Sequence, residues 1–398
     1  MKSSNHSNIT RLIALMATLW LCSSCIDTFE ADLASTENTY IVVSGSICGN
    51  SNCEFILSRS LSLSPSYGDI RDRHINDATV RVCSSDGMRQ EAVFNGEGSY
   101  LVQLDILNID TEYWLEITWD GMTFASEATK PIVTSTIKEV SYVQPRPDQY
   151  VDFLITPEPH KTEEQQYFMW TFIEDWEIHT PYISNWDFDL TNDLVINAKQ
   201  KTNRGWKSSK HNISIVGSNV DYTNGEIRNK KLYDRDCQSD FFNYLYRTTI
   251  KQRAITQKEY EYTQLAQRQS DDMGGLFTPQ PAELPTNIHC LDGNAKAIGY
   301  IGVASSEVSK MLYVRGTDVG YKLTRIPNSP TESELTNSSN RQIYQREFRI
   351  QEYNTQTQKI TWIERWAVDC TVWGASLTAE PEGWPTDRNE IAPVPEVE

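Results

Sequence analysis

The chain has 398 residues, is 11% aromatic with 11 Trp and 19 Tyr, and carries a net charge of −18. That length allows two or three domains with real hydrophobic cores. A chain this acidic repels phosphate backbones and anionic membrane surfaces, which argues against nucleic acid as a partner. Frequent Thr, Val, Ile and aromatic residues point to a β-rich protein.

Lys2 and Arg11 open the chain with positive charge and no acid, and residues 12–21 form an apolar run interrupted only by Thr18. Such a run suits the core of a secretory signal and falls short of the roughly 20 residues that a membrane-spanning helix needs. Ser23 and Ser24 then precede Cys25. The stretch Leu21-Cys22-Ser23-Ser24-Cys25 resembles the bacterial lipobox, whose last cysteine is lipidated and becomes the first residue of the mature protein. It departs from the pattern by carrying Cys22 where Leu is usual. The resemblance makes Cys25 the expected lipid-attachment site, 1–24 the signal and 25–38 a polar tether. At about 0.8 kcal/mol per buried methylene, two or three acyl chains anchor a protein firmly to a membrane.

Cysteine use fits export. Beyond Cys22 and Cys25 there remain Cys48, Cys53, Cys83, Cys237, Cys290 and Cys370, which an oxidising compartment can pair in several ways. Cys48 and Cys53 flank the turn-forming Gly49-Asn50-Ser51-Asn52 and are the locally favoured disulfide, worth about 2 kcal/mol for so small a ring. No Cys/His spacing suggests zinc, and no metal ligands are expected.

Between 39 and 130, short strands are expected at 39–47, 53–62, 77–83, 89–94, 98–104, 112–119 and 122–128. Asn95-Gly96 and Asp120-Gly121 are the hairpin dipeptides, because both central residues of such turns need positive φ. Seven strands at this spacing predict a β-sandwich. The runs Asn76 to Val82, Gly98-Ser99-Tyr100 and Tyr113 to Ile117 resemble the carboxypeptidase-regulatory or transthyretin-type sandwich, which implies a scaffold rather than a catalyst.

Lys130-Pro131 marks the expected boundary to a second β-rich domain, 131–385, with a flexible tail at 386–398. Strands are expected at 136–143, 150–156 and 167–179. Over 241–252, Phe242, Tyr244, Tyr246, Thr248 and Ile250 alternate onto one face. One helix is predicted at 257–271, where Thr256 and Glu259 have capping-box spacing and Gly274-Gly275 can close the last turn. The expected fold class is mainly β: two β-sandwich-like domains, the second with one short helix.

Several later motifs recur in a fixed order: Gly275 to Pro281, Asn287-Ile288-His289-Cys290, Ala297 to Ile301, Val368-Asp369-Cys370, and Pro381 to Trp384. With the tether, the sandwich, the 170–176 stretch and the helix, they resemble a Bacteroidota lipoprotein family known as domain of unknown function 4249. The resemblance covers nearly the whole chain after Cys25. It implies a lipid-anchored outer-membrane protein, with the cell-surface side favoured over the periplasmic one. It also implies a TonB-dependent outer-membrane receptor as partner and no cofactor. In addition it implies cysteines at two positions that are Gly205 and Ala367 here. Their joint absence suggests a disulfide lost as a unit, with Cys290 and Cys370 as the pair that remains.

No GxSxG elbow, HExxH, phosphate loop or GxGxxG is present, and the six histidines are scattered without metal-ligand spacing. No catalytic residue is expected. His160 with Glu163 and Glu164 reads as a solvated turn. Asp187, Asp189, Asn192 and Asp193 lack the Gly and Glu of a calcium loop and read as a solvated acidic loop. The richest stretch runs from Trp170 to His179 and on to Trp186. Its alternation puts Trp170, Phe172, Glu174 and Trp176 on one face, which fits a sandwich core. The same aromatic and acidic residues also fit a contact surface for a ligand or partner, with Trp170, Glu174, Trp176, Glu177 and Trp186 as its residues. The function expected is a non-enzymatic accessory or binding lipoprotein. A structural or assembly lipoprotein of the envelope is the alternative, and a glycan hydrolase using Glu174 or Glu177 the third reading.

Overall fold

Short alternating runs separated by left-handed turns build the first layer. We describe it from a computed structural model covering residues 40–60, 73–147, 149–159, 165–211, 213–272 and 284–386. The signal, Cys25, the tether, His160 with Glu163 and Glu164, Gly274-Gly275, the Gly275–Pro281 motif and the tail from 387 lie outside the described residues. The layer contains β1 (Ile41–Ser44), β2 (Ser46–Cys48), β3 (Ser51–Arg59), β4 (Thr79–Ser84), β5 (Arg89–Glu91), β6 (Val93–Gly96), β7 (Ser99–Leu104), β8 (Tyr113–Trp119) and β9 (Met122–Ser126). One sheet holds β1, β3, β7 and β6 as neighbours, and the other holds β9, β8, β4 and β5. Phe55, Leu57, Tyr100 and Val102 from the first meet Val80, Val82, Leu115, Ile117 and Phe124 from the second in one core. The Asp120-Gly121 turn forms as expected, with φ of 51° and 72°. The other hairpin turns two residues later, at Glu97-Gly98 with φ of 46° and 72°, because the β6–β7 ladder is bulged between Phe94 and Gly96.

The second layer starts with β10 (Ile137–Val143), β11 (Tyr150–Pro157), β12 (Tyr167–His179), β13 (Trp186–Asp189), β14 (Leu194–Asn197), β15 (Arg204–Lys210), β16 (Ile215–Ser218), β17 (Lys230–Asp236) and β18 (Leu245–Ile255). β10, β11 and β17 form one antiparallel sheet. β12 is the spine of the other, with β15 and β16 on one edge and β18 along the second. Trp170, Phe172 and Trp176 of β12 pack with Tyr246 and Ile250 of β18 and with Phe153 and Ile155 of β11 in a second core. The strand expected at 241–252 begins only at Leu245. Asp240–Phe242 is a 3-10 turn that buries Phe242.

α1 (Gln257–Asp272) follows, and Thr256 Oγ1 accepts the Glu259 N–H at 3.0 Å as its cap. The reciprocal half of the box is used elsewhere, because the Glu259 carboxylate turns back to Arg253.

The chain then returns to the first layer. β19 (Ile288–Cys290) pairs antiparallel with β9, while β20 (Ala297–Ile298) and β21 (Gly302–Ala304) pair parallel with β1 and β2. Ile288, Ala297, Ile301 and Val303 complete the first core. A contiguous second domain over 131–385 is therefore not what forms: these strands belong to the first sandwich, and the described residues from Tyr40 onward are one compact unit.

β22 (Val308–Arg315) rejoins β18. Last come α2 (Glu332–Asn337), α3 (Asn340–Gln345), β23 (Phe348–Asn354) and β24 (Lys359–Glu364); α3, β23 and β24 pack with the β13–β14 hairpin around Phe188, Ile343, Ile350 and Trp362. Among the described residues three α-helices thus stand where a single one was expected. The two short ones carry complete capping boxes, Thr331 with Glu334 and Ser339 with Gln342, a signal readable in the sequence. Among the described residues no helix is long and apolar enough to cross a membrane.

Candidate functional site

The stretch expected to offer a contact surface is buried instead. Trp170, Glu174, Trp176 and Glu177 are all shut from solvent, because β12 is covered on both faces. Trp170 Nε1 donates to Gln252 Oε1 at 2.8 Å, and Trp176 packs on Phe241 with Lys207 over its ring. Glu174, fully buried, accepts a two-pronged contact from Arg235 at 2.8 and 2.7 Å and the Tyr246 hydroxyl at 2.6 Å, and His211 Nε2 meets it as well. Glu177 lies on the opposite face of the strand. It accepts from Arg204 Nε at 2.5 Å and Trp384 Nε1 at 2.8 Å, with His179 beside it. Burial pushes the Glu177 carboxyl up, but the bonds from His179 and Trp384 outweigh it and hold the group below the ordinary carboxylate range. Two acids on opposite faces, each with its own cation, do not converge on one substrate. Trp186 is half-buried and packs edge-on against Tyr353 at 5.3 Å.

The acidic loop is also committed to the fold. Tyr344 donates to Asp187 at 2.6 Å, Asp189 accepts the Thr191 N–H at 2.7 Å, and Arg341 pairs with Asp193 at 3.0 Å.

The six described cysteines are free thiols. Cys48 and Cys53 do lie together: the Cys53 thiol donates to the Cys48 carbonyl at 3.1 Å, and its sulfur accepts the Cys48 N–H at 3.3 Å. Burial pushes their thiols up to about 12 and about 11. The pairing of Cys290 with Cys370 fails on topology, since Cys290 packs on the first core and Cys370 lies in the second. The position that lies against the Cys370 sulfur is Gly205.

A different region has the geometry of a site. β18 is two-faced. Tyr246, Thr248 and Ile250 enter the second core, while Arg247, Lys251 and Arg253 line the other face and each meets an acid. Arg247 pairs with Asp175 at 2.8 Å, Lys251 with Glu307 at 2.7 Å and Arg253 with Glu259 at 2.6 Å. On β12, pairing with β15 ends at Ile173 and pairing with β16 begins at Trp170, so Thr171 is uncovered at that edge. The first sandwich approaches here at the Gly45 bend between β1 and β2, and α1 closes the other side. The result is a cleft of about 900 Å³ where the two layers and the helix meet, lined in part by Ser44, Thr171, Lys251, Arg253, Tyr262 and Tyr300. That volume lies within the range of ligand pockets, which runs to about 1,000 Å³. A second cavity of about 230 Å³ shares Thr171, Lys251 and Glu307 with it and reaches His211 and Cys53.

Arg253 is 8% exposed and Glu259 3%. Burial works against the Arg253 charge, and the facing Glu259 more than offsets it, so the guanidinium titrates above its ordinary value. The pair is incompletely satisfied, since Arg253 Nη1 and Glu259 Oε2 have no partner. Glu259 reaches this position because residue 302 is a glycine, where a Cβ would collide with its carboxylate. Sequence reading missed the cluster. Its one visible sign is a pair of cations two apart, Lys251 and Arg253, on a strand that also supplies core residues.

Fold and cleft together define a double-layered β-sandwich protein with a ligand-sized cavity where the layers meet. Residues 26–310 match the family described as Domain of unknown function (DUF4249), and the chain belongs to that family. The match takes in the cleft residues named here and ends before Cys370 and Trp384. Comparison with curated proteins finds no match.

Proposed function

We propose that this is a lipid-anchored, non-enzymatic protein of the outer membrane that holds cargo in the interlayer cleft and works beside a TonB-dependent receptor. The observation that carries the binding role is the cleft itself: a large cavity with partly unsatisfied buried charges, built on rigid strands and one helix. Scaffolds of this kind keep a binding geometry fixed while loops vary around it. The lipobox-like Leu21–Cys25 supports the anchor, and the family resemblance supports the receptor and the outer membrane, with the cell-surface side favoured.

The test is a pull-down from membranes solubilised in mild detergent, using a C-terminal tag, with co-purifying proteins identified by mass spectrometry. Recovery of a TonB-dependent barrel in roughly equal amount is the expected result. Recovery of the protein alone from an outer-membrane fraction would remove the receptor role and favour an assembly or structural lipoprotein.

A further inference from the structure

We propose that the interlayer cleft takes a neutral, polyhydroxylated ligand, a short carbohydrate, seated on the rings of Tyr262 and Tyr300. This rests on the reading of the cleft as a ligand site and adds the chemistry it selects.

Charge is the first argument. The ionised groups of the cleft are already paired with one another, Lys251 with Glu307 and Arg253 with Glu259. A charged ligand that competes for the Arg253–Glu259 pair strands the other member in a poorly solvated place, a strongly unfavourable exchange, and one that competes for the more exposed Lys251–Glu307 pair gains little over the partner it displaces. A neutral ligand does not. Shape is the second. The rings of Tyr262 and Tyr300 stand 5.6 Å apart at 33°, an aromatic wall against which the apolar C–H face of a sugar ring packs well.

Hydrogen-bonding capacity is the third. The hydroxyls of Thr171 and Tyr262 line the cavity and have no hydrogen-bond partner among the described residues. Arg253 and Glu259 belong to the same lining, and Arg253 Nη1 and Glu259 Oε2, both shut from bulk solvent, are a donor and an acceptor without a partner. A hydroxyl donates and accepts at once, so a ligand carrying several of them, or a water held beneath one, answers both; an apolar ligand leaves them stranded. A peptide strand is the weaker fit. The open ladder positions at the cleft are short, Val43 and Ser44 beyond the β20 pairing and Thr171 between β15 and β16, so a peptide strand gains few main-chain hydrogen bonds there.

The experiment is calorimetric titration of the full-length protein in detergent micelles with maltotetraose, cellotetraose and xylotetraose, and separately with tetra-alanine and citrate. At least one saccharide should bind saturably, and neither tetra-alanine nor citrate should. Tyr262→Ala should weaken that binding about tenfold or more, and Thr171→Val about fivefold. Leu194→Ala, on the exposed β13–β14 hairpin, should leave it unchanged. No saturable saccharide binding, or binding indifferent to Tyr262→Ala, overturns the proposal. Binding of tetra-alanine or citrate that is lost in the same variants overturns the carbohydrate class while keeping the cleft as a ligand site. Silence from every probe removes the ligand-site reading too, and leaves the receptor complex to be decided by the pull-down alone.

Discussion

A Cβ atom on Gly205 would lie 2.8 Å from the sulfur of Cys370, although the two residues are far apart in the chain. The contact exists because the C-terminal segment is stitched to the edge of β15: the Trp206 and Ser376 backbones exchange hydrogen bonds at 2.9 and 2.8 Å. Glycine is present here for lack of space rather than for its φ. Gly205→Cys should therefore form a disulfide with Cys370 under oxidising conditions, lowering the titratable thiol count by one, with the cross-link's gain of about 2–4 kcal/mol offset in part by the crowding of the new Cβ against Ser376. Gly205→Ala brings the same crowding without the bond and should destabilise by about 1–3 kcal/mol. Thiol titration and urea midpoints of the two variants check this.

Glu174 is the hub of the second core. Replacing it by glutamine keeps the shape but leaves the Arg235 guanidinium without its counter-charge. The expected cost is about 3–5 kcal/mol, read from chemical unfolding. Adding Arg235→Met to the same variant should recover part of the loss, since the stranded charge and not the missing bond is the main penalty.

Acid sensitivity follows from two carboxylates whose titration is held low. For Glu177 burial is outweighed by the His179 and Trp384 contacts; for Asp369 burial is outweighed by bonds from Thr371 and Arg365. A depressed folded pKa contributes stability that is complete above the unfolded carboxylate value and lost as pH falls through the folded one. The protein should thus hold its stability down to the ordinary carboxylate range and lose it below. Trp384→Phe removes the N–H that Glu177 accepts, so its acid unfolding should begin at higher pH. Circular dichroism along a pH series measures the offset.

Thiol chemistry should separate by burial. Cys48 and Cys53, pushed up to about 12 and about 11 by desolvation, stay protonated at pH 8 and poorly nucleophilic. Cys290 is only half-buried. Iodoacetamide at pH 8 should mark Cys290 first and reach Cys48 and Cys53 only on unfolding, as seen by peptide mass spectrometry. Early labelling of Cys48 or Cys53 in the native protein would contradict their placement.

The sequence was most readable where local pattern decides structure. β12 runs over the expected 167–179, because its aromatic and β-branched residues favour a strand on either face. Carboxylates within that strand suggested an exposed face. They are buried because Arg235, Arg247 and Arg204 reach them from β17, β18 and β15, and no local pattern encodes that pairing. The cleft was hidden for the same reason. Lys251 and Arg253 are visible as a pair, but Glu307 and Tyr300 meet them only after the chain has doubled back. Two- and three-residue strands such as β20 and β21 carry too few residues for periodicity to reveal them, and their parallel partners lie far upstream.

That doubling back has a consequence for how the protein comes into being. A ribosome delivers β1, β2 and β9 long before the strands that will flank them, and at about 5–20 residues per second the wait is roughly ten to fifty seconds. Throughout that interval the growing chain presents raw sheet margins able to recruit neighbouring molecules. A chaperone that shields the nascent chain until Ala304 has emerged would suit such a topology, and a truncated product ending near Lys130 is expected to aggregate rather than persist as an independent module.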